Sequence, residues 1–237
     1  LLRTIPGLTP DDDGPADPDQ FISEQEGQLC INLSQGHYSR SRFIWRGRNT
    51  SLRVDLQYER SFSSKRGATS SGSYSRRFRP DYTLSIYPEI YANEAAAEAQ
   101  GKLAHIHLDA KYRAENIKAV FGDSDYSDQE IRAEKLEGKS EQSYKRGDLL
   151  KMHTYSDALR HTIGSYVLYP GTKTDDADAM RKFHEIVPGV GALVMKPGKN
   201  KCLEPFRLFI MDFLPPQADM FSKYPSRGDT SHKTHRD

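Results

Sequence analysis

The sequence predicts an α/β fold, a mixed β-sheet flanked by helices and entered through an N-terminal antiparallel meander. Three observations predict it. Residues 105–113 alternate strictly, with His105, His107, Asp109, Lys111 and Arg113 on one face of a strand and Ile106, Leu108, Ala110 and Tyr112 on the other. Residues 148–161 have helical spacing, with Leu149, Met152, Ser156 and Leu159 along one side, and Gly164 ends the helix. Residues 165–169 form an apolar strand stopped by Pro170 and Gly171. Strand, helix and strand in that order make a β-α-β unit, so a parallel pair joins the antiparallel strands upstream.

Residues 1–27 read as an acidic, proline-rich arm or linker, with Pro6, Pro10, Pro15 and Pro18 breaking up an aspartate cluster. The Asp11-Asp12-Asp13-Gly14 run lacks the terminal glutamate of a calcium loop. One domain is expected over 28–214. Short strands at 28–33 and 43–45 precede a longer one at 52–62, which alternates Leu52, Val54, Leu56 and Tyr58 with Arg53, Asp55, Gln57 and Glu59. Trp45 and Tyr58 either stack on bases or belong to the core. A Ser/Gly-rich turn at 61–75 leads into a strand over 74–87. Residues 88–104 are expected to be an exposed insertion and 122–147 a second one, either a solvated helix or a loop. A short strand follows at 191–195. Residues 206–214 are either a helix across the sheet or an edge strand, and 215–237 a polar, disordered tail.

Of the 237 residues, 36% are hydrophobic and 28% charged, and no apolar run approaches the length of a membrane-spanning helix. No secretory leader pattern opens the chain, so a cytoplasmic protein away from membranes is expected. The first residue is Leu1, as expected of a fragment or a processed chain. Cys30 and Cys202 have no close spacing, which argues for reduced thiols rather than a zinc cage or disulfide framework. The net charge of +1 hides an asymmetry: residues 1–37 hold seven acids and one base, residues 38–79 eleven bases and two acids. The basic stretch is either a phosphate-tracking surface or a solvated face paired with acids elsewhere.

The chemistry lies at the end of that stretch. Pro80 opens a strand whose polar face carries Asp81, Thr83 and Ser85. Paired antiparallel with residues 105–113, it brings Asp81 beside Asp109 and Lys111. Two carboxylates can hold a hard cation, and the lysine places a positive charge beside the same reacting group. His105 and His107 share the Asp109 face and are read as neutral packing or surface residues rather than ligands.

Four blocks appear in order: Arg-Pro-Asp-Tyr-Thr-Leu at 79–84, Leu-Asp-Ala-Lys-Tyr-Arg at 108–113, Leu-Lys-Met-His-Thr-Tyr-Ser-Asp-Ala-Leu at 150–159 and Val-Leu-Tyr-Pro-Gly at 167–171. Together they resemble the McrC-like branch of the PD-(D/E)XK superfamily, the nuclease subunits of McrBC-type restriction systems and their relatives. The resemblance implies a restriction-endonuclease-like fold that cuts DNA phosphodiesters with Mg²⁺, for which Mn²⁺ substitutes. It implies that Asp81 and Asp109 bind the metal with the backbone carbonyl of Ala110, and that Lys111 positions or activates the attacking water. Lys151 and Tyr155 match a Gln-x-x-x-Tyr pattern on the following helix, with lysine in place of glutamine. His153 on that helix is a candidate phosphate contact. Candidate DNA contacts are Lys65, Arg66, Arg76, Arg77, Arg79 and Arg113. Relatives also carry a glutamate on a helix before the first strand; Glu24, Glu26 and Glu59 are the nearby acids here, and none sits in that motif.

The reading is therefore a Mg²⁺-dependent DNA endonuclease of a restriction or anti-phage defence system, acting on double-stranded DNA with an AAA+ GTPase or ATPase motor. Cutting both strands would call for a homodimer. No Gly-x-x-x-x-Gly-Lys-Ser/Thr motif is present, so the motor would be another chain. Two alternatives stand beside it: a non-catalytic subunit that docks on and stimulates the motor, and a DNA-binding module whose nuclease site has decayed.

Overall fold

Alternating apolar side chains draw seven strands into one sheet, in which a helix-bearing crossover joins two neighbouring parallel strands. The computed structural model describes residues 2, 5–11, 22–25, 28–31, 39–48, 50–64, 71–111, 141–169, 189–194 and 204–223. Within them the strands are β1 (Leu8–Pro10), β2 (Ile22–Gln25), β3 (Gln28–Ile31), β4 (Ser39–Arg46), β5 (Ser51–Tyr58), β6 (Tyr82–Pro88), β7 (Ala104–Ala110), β8 (Thr162–Tyr169) and β9 (Val190–Val194). The helices are α1 (Glu94–Ala99), α2 (Glu141–Ala158) and α3 (Glu204–Lys223). The main sheet has the order β1-β4-β5-β6-β7-β8-β9, antiparallel from β1 to β7 and parallel from β7 to β9. β2 and β3 form a separate hairpin. A mixed sheet flanked by helices, as the sequence predicts, is a restriction-endonuclease-like α/β fold.

One face of the sheet is apolar. Leu52, Val54, Leu84, Ile86, Ile106, Leu108 and Tyr166 pack there against Phe206, Phe209, Ile210 and Leu214 of α3. The expected tail from residue 215 is corrected by this helix, which runs through Pro215 and Pro216 to Lys223. Each proline forfeits one helical hydrogen bond. Burial of Ala218 and Phe221 in the same core offsets that loss, and the Lys102 ammonium donates to the Phe221 carbonyl. Residues 224–237 lie outside the described residues.

The N-terminal segment is likewise not wholly an arm. Leu2, Ile5 and Leu8 are buried in the main core, and β1 extends the sheet beside β4. Nor is 88–104 an exposed insertion: Ala97 of α1 packs on Tyr87 and Leu103, and Glu94 is buried. Trp45 belongs to the core, while Tyr58 is half-buried against the Tyr82 ring. α2 begins at Glu141, inside the expected 122–147 insertion, and ends at Ala158; residues 112–140 lie outside the described residues. Gly164 does not end that helix but sits within β8. A Cβ there would come within 2.5 Å of the Tyr166 ring, so the close approach requires glycine.

The opposite face is polar in sequence yet buried beneath Phe62, Phe78 and α2. Thr83, Ser85, His105 and His107 have almost no exposure. Of the packing and surface readings left open for His105 and His107, the buried one holds, because these groups satisfy one another across the ladder. His107 Nδ1 lies 3.1 Å from Thr83 Oγ1, and Nε2 lies 3.0 Å from Thr162 Oγ1. The Thr162 hydroxyl already donates to the Leu159 carbonyl, so His107 must carry its proton on Nε2 and accept from Thr83 at Nδ1. Burial first, then His105 and Arg60, holds the His107 pKa well below 6.5.

Two outcomes follow from this packing. Phe221→Ala should lower the unfolding free energy by about 3 kcal/mol in urea melts, whereas a dispensable tail would show no change. In the presence of EDTA, stability should fall as pH drops below about 6.5, because the unfolded chain takes a proton at His107 that the folded chain refuses. His107→Gln should flatten that slope by up to about 1.4 kcal/mol per pH unit, and an unaltered slope would contradict the neutral assignment.

Candidate functional site

β6 and β7 pair with Tyr82 opposite Leu108. Asp81 immediately precedes β6 and Asp109 is the last residue but one of β7, so the two acids sit at the same end of this central strand pair. On the other side of β6, Glu59 N donates to the Asp81 carbonyl at 2.9 Å, one pair beyond Tyr58 and Tyr82 of the β5–β6 ladder. Glu59 adopts φ 49°, a left-handed conformation that ends β5 at that contact. Asp81 Oδ2 accepts from the Ala110 N–H at 2.7 Å, so its carboxylate lies against the peptide joining Asp109 and Ala110. Like charges on neighbouring strands repel. Burial and then the Asp109 charge raise the Asp81 pKa above its usual value.

Two cations answer the acids. Lys111, immediately after β7, places Nζ 2.8 Å from Asp109 Oδ2. Lys151 reaches over from α2, with Nζ 2.5 Å from Asp109 Oδ1 and 5.5 Å from the centroid of the Tyr155 ring. Helical spacing of four puts Lys151 and Tyr155 on one stripe. Tyr155 is buried, edge-on to Phe78 and His107, and burial raises its pKa, with the Asp109 and Asp81 charges adding to the shift. His153 is about 200° round the helix from Lys151 and, among the described residues, makes no hydrogen bond or ion pair with the acids.

The other candidates divide. Arg76 is exposed with its guanidinium 5.1 Å from the centroid of the Phe78 ring, Arg77 donates to Ser61 Oγ at 2.9 Å, and Arg79 is 3.6 Å from Glu59. Lys65, Arg66, Arg113 and Glu26 lie outside the described residues, and Glu24 lies in β2. Glu59 faces Arg79 rather than completing a ligand set. Among the described residues no cluster of three or more metal-ligating side chains occurs.

The residues present nevertheless fit a hard divalent cation. Asp109 Oδ2 is buried and receives no aligned hydrogen bond, despite the Lys111 ammonium beside it. A carboxylate oxygen held that way keeps lone pairs for a metal. Two carboxylates suit Mg²⁺ in particular, which retains several waters and completes its shell with substrate phosphate oxygens.

Residues that sequence reading missed lie on β4, β5 and α1. Arg40 and Arg42 clamp Asp55 at 2.5 and 2.8 Å, and Tyr87 donates to the same carboxylate at 3.0 Å. Arg60 is buried between Gln57 Oε1 (2.6 Å), Ser85 Oγ (2.9 Å) and Glu94 Oε2 (2.7 Å). The signal was present as an Arg-x-Arg alternation at 40–42 facing Asp55 and Gln57, but only the β4–β5 register turns it into contacts.

An acid pair and two lysines thus meet at the end of two central strands of a mixed α/β sheet. The family model of the PD-(D/E)XK nuclease superfamily matches residues 15–174, and the chain belongs to that superfamily. Its members generally hydrolyse nucleic acids and typically use divalent metals such as Mg²⁺. Comparison with curated proteins and with solved structures gave no match.

Lys151 and a cation compete for Asp109. Lys151→Met should therefore lower metal-free stability by about 1 kcal/mol, the ammonium being partly exposed. The same variant should bind Mn²⁺ about tenfold more tightly by calorimetry; equal or weaker binding would show that the lysine does not occupy the cation's place.

Proposed function

We propose that the chain is a Mg²⁺-dependent DNA endonuclease whose reaction is carried by Asp81, Asp109 and Lys111. The supporting observation is the meeting of two carboxylates at one end of the β6–β7 pair, Asp109 buried and Asp81 half-buried with its Oδ2 on the Ala110 N–H, and an Asp109 oxygen without an aligned donor. Asp81 and Asp109, with the carbonyl of Ala110, are the residues that would hold the ion. When bound, Mg²⁺ supplies acidification of water and neutralisation of oxyanion charge at phosphorus. Lys111, tethered beside Asp109, orients the attacking water or the scissile phosphate. Lys151 holds the Asp109 carboxylate in place from α2, in the position that relatives give to glutamine. Tyr155, protonated throughout the neutral range, packs behind Lys151 and fixes its approach.

The finer assignment, to a restriction or anti-phage system of McrC-like type with an NTP-driven motor as partner, draws on the order of the four sequence blocks. Double-stranded DNA is the substrate of that reading, with two copies of the chain needed to cut both strands. Asp109→Ala and Lys111→Ala should each reduce Mg²⁺-dependent plasmid cleavage at least about 10³-fold while circular dichroism stays that of the unaltered chain. Cleavage at the original rate by either variant would remove that residue from the chemistry. Adding the candidate motor separates a nuclease from a purely docking subunit, since only the former loses cleavage with these substitutions.

A further inference from the structure

β4, β5 and the loops beside α1 enclose a cleft of about 550 Å³, a volume suited to a small ligand or a short piece of polymer. Arg40, Arg42, Arg60, Arg77 and Arg79 line it. Against these five guanidinium groups stand three carboxylates, Glu59 and Glu94 in the lining and Asp55 beneath Arg40 and Arg42. We propose that this cleft is a second phosphate site, which holds the substrate strand beside the scissile phosphodiester. The inference rests on the nuclease reading above and adds the place where the strand is gripped.

The inner arginines are pre-set. Arg60 is nine-tenths buried and fixed by Gln57, Ser85 and Glu94, with Ser71 Oγ 2.8 Å from its Nη2. Arg40 and Arg42 are locked onto Asp55. Guanidinium forks held in this way bind phosphate oxygens with little loss of side-chain entropy. The outer arginines keep charge to offer: the Arg77 hydrogen bond is to a neutral hydroxyl, and Arg79 is 45% exposed with its carboxylate partner 3.6 Å away.

The lining also excludes other ligands. Among the described residues of the lining there is no aromatic ring and Ala95 alone is apolar, so neither an apolar molecule nor a stacked base is favoured. A sugar–phosphate backbone, which carries charge without sequence information, suits such walls. Continuity with the acid pair points the same way. Arg79 precedes Asp81 by two residues, at most about 7 Å of extended chain, and the backbone N–H of Glu59 in the cleft wall donates to the Asp81 carbonyl. A strand with one phosphate at Asp81 and Asp109 would present neighbouring phosphates here.

The test is binding of a fluorescently labelled DNA oligonucleotide in EDTA, where no metal-dependent cleavage intervenes, across 50 to about 200 mM salt. The double variant Arg77→Gln/Arg79→Gln changes only exposed side chains and should retain its circular dichroism spectrum. It should bind at least tenfold more weakly at 100 mM salt and lower the slope of log K against log salt by roughly two, about one for each phosphate no longer neutralised. Arg207→Gln on α3, across the sheet, should change neither. An unaltered slope and affinity in the double variant would overturn the inference, as would an unaltered chain that binds no DNA. If deoxyadenosine monophosphate lost affinity in the variant while the oligonucleotide did not, the cleft would be a free-nucleotide site and the strand assignment would fail. Plasmid cleavage by the unaltered chain is scored separately. A chain that cuts DNA but shows no arginine dependence loses only the cleft, and one that binds through these arginines but never cuts loses only the nuclease.

Discussion

Two carboxylates brought together at one end of an antiparallel strand pair, one buried and one half-buried, are the constraint to which the rest of this site answers. Asp81 and Asp109 are neighbours because each adjoins the Tyr82–Leu108 pair, and the Ala110 N–H holds the Asp81 carboxylate beside the peptide that follows Asp109. Such a pair stands only if positive charge is brought to it. One cation follows Asp109 by two residues, the other must arrive from elsewhere in the chain. The β7-α2-β8 crossover delivers it: α2 crosses the polar face and sets Lys151 against Asp109. The parallel half of the sheet thus positions the chemistry of the antiparallel half.

The face on which this happens is a packed polar layer rather than a solvated one. Arg60 bonds Ser85, Ser85 bonds His105, and Thr83, His107 and Thr162 form a second chain beside it. Hydrogen-bonded networks of this kind rigidify a core. Here the layer spans from the arginine cleft to the foot of Tyr155, behind Lys151. The two charged regions are therefore fixed relative to each other by hydrogen-bonded side chains and by the strands themselves.

Much of this was legible in the sequence. Period-two alternation located β5, β6 and β7, and the Pro80-Asp81 and Asp109-x-Lys111 pair marked the acids before any register was known. Alternation alone, however, does not decide between packing and surface for His105 and His107, because it cannot see Phe62 and α2 settling over them. The N-terminal arm and C-terminal tail were misread for a related reason. Leu2, Ile5 and Leu8 are sparse among prolines and acids, and Pro215-Pro216 signals a helix stop, yet burial against a preformed sheet outweighs local preference in both places. The arginine cleft was the least legible feature. Its members come from β4, β5 and the segment before Asp81, and Arg40 and Arg79 meet only once three strands have aligned.

The charge arrangement also explains why an acid pair and a basic cleft belong to one surface. Asp81, Asp109, Lys111 and Lys151 sum to no net charge, so the metal-free acid site exerts little pull on a polyanion. Attraction must come from beside it, and the cleft, with more guanidinium than carboxylate, has the sign required. Divalent charge added between the acids would then make the two regions a continuous positive track ending at the reacting phosphorus. On the proposed reading, affinity for the strand and competence to cut it would fall to different residues, one set present at all times and the other completed only with the ion.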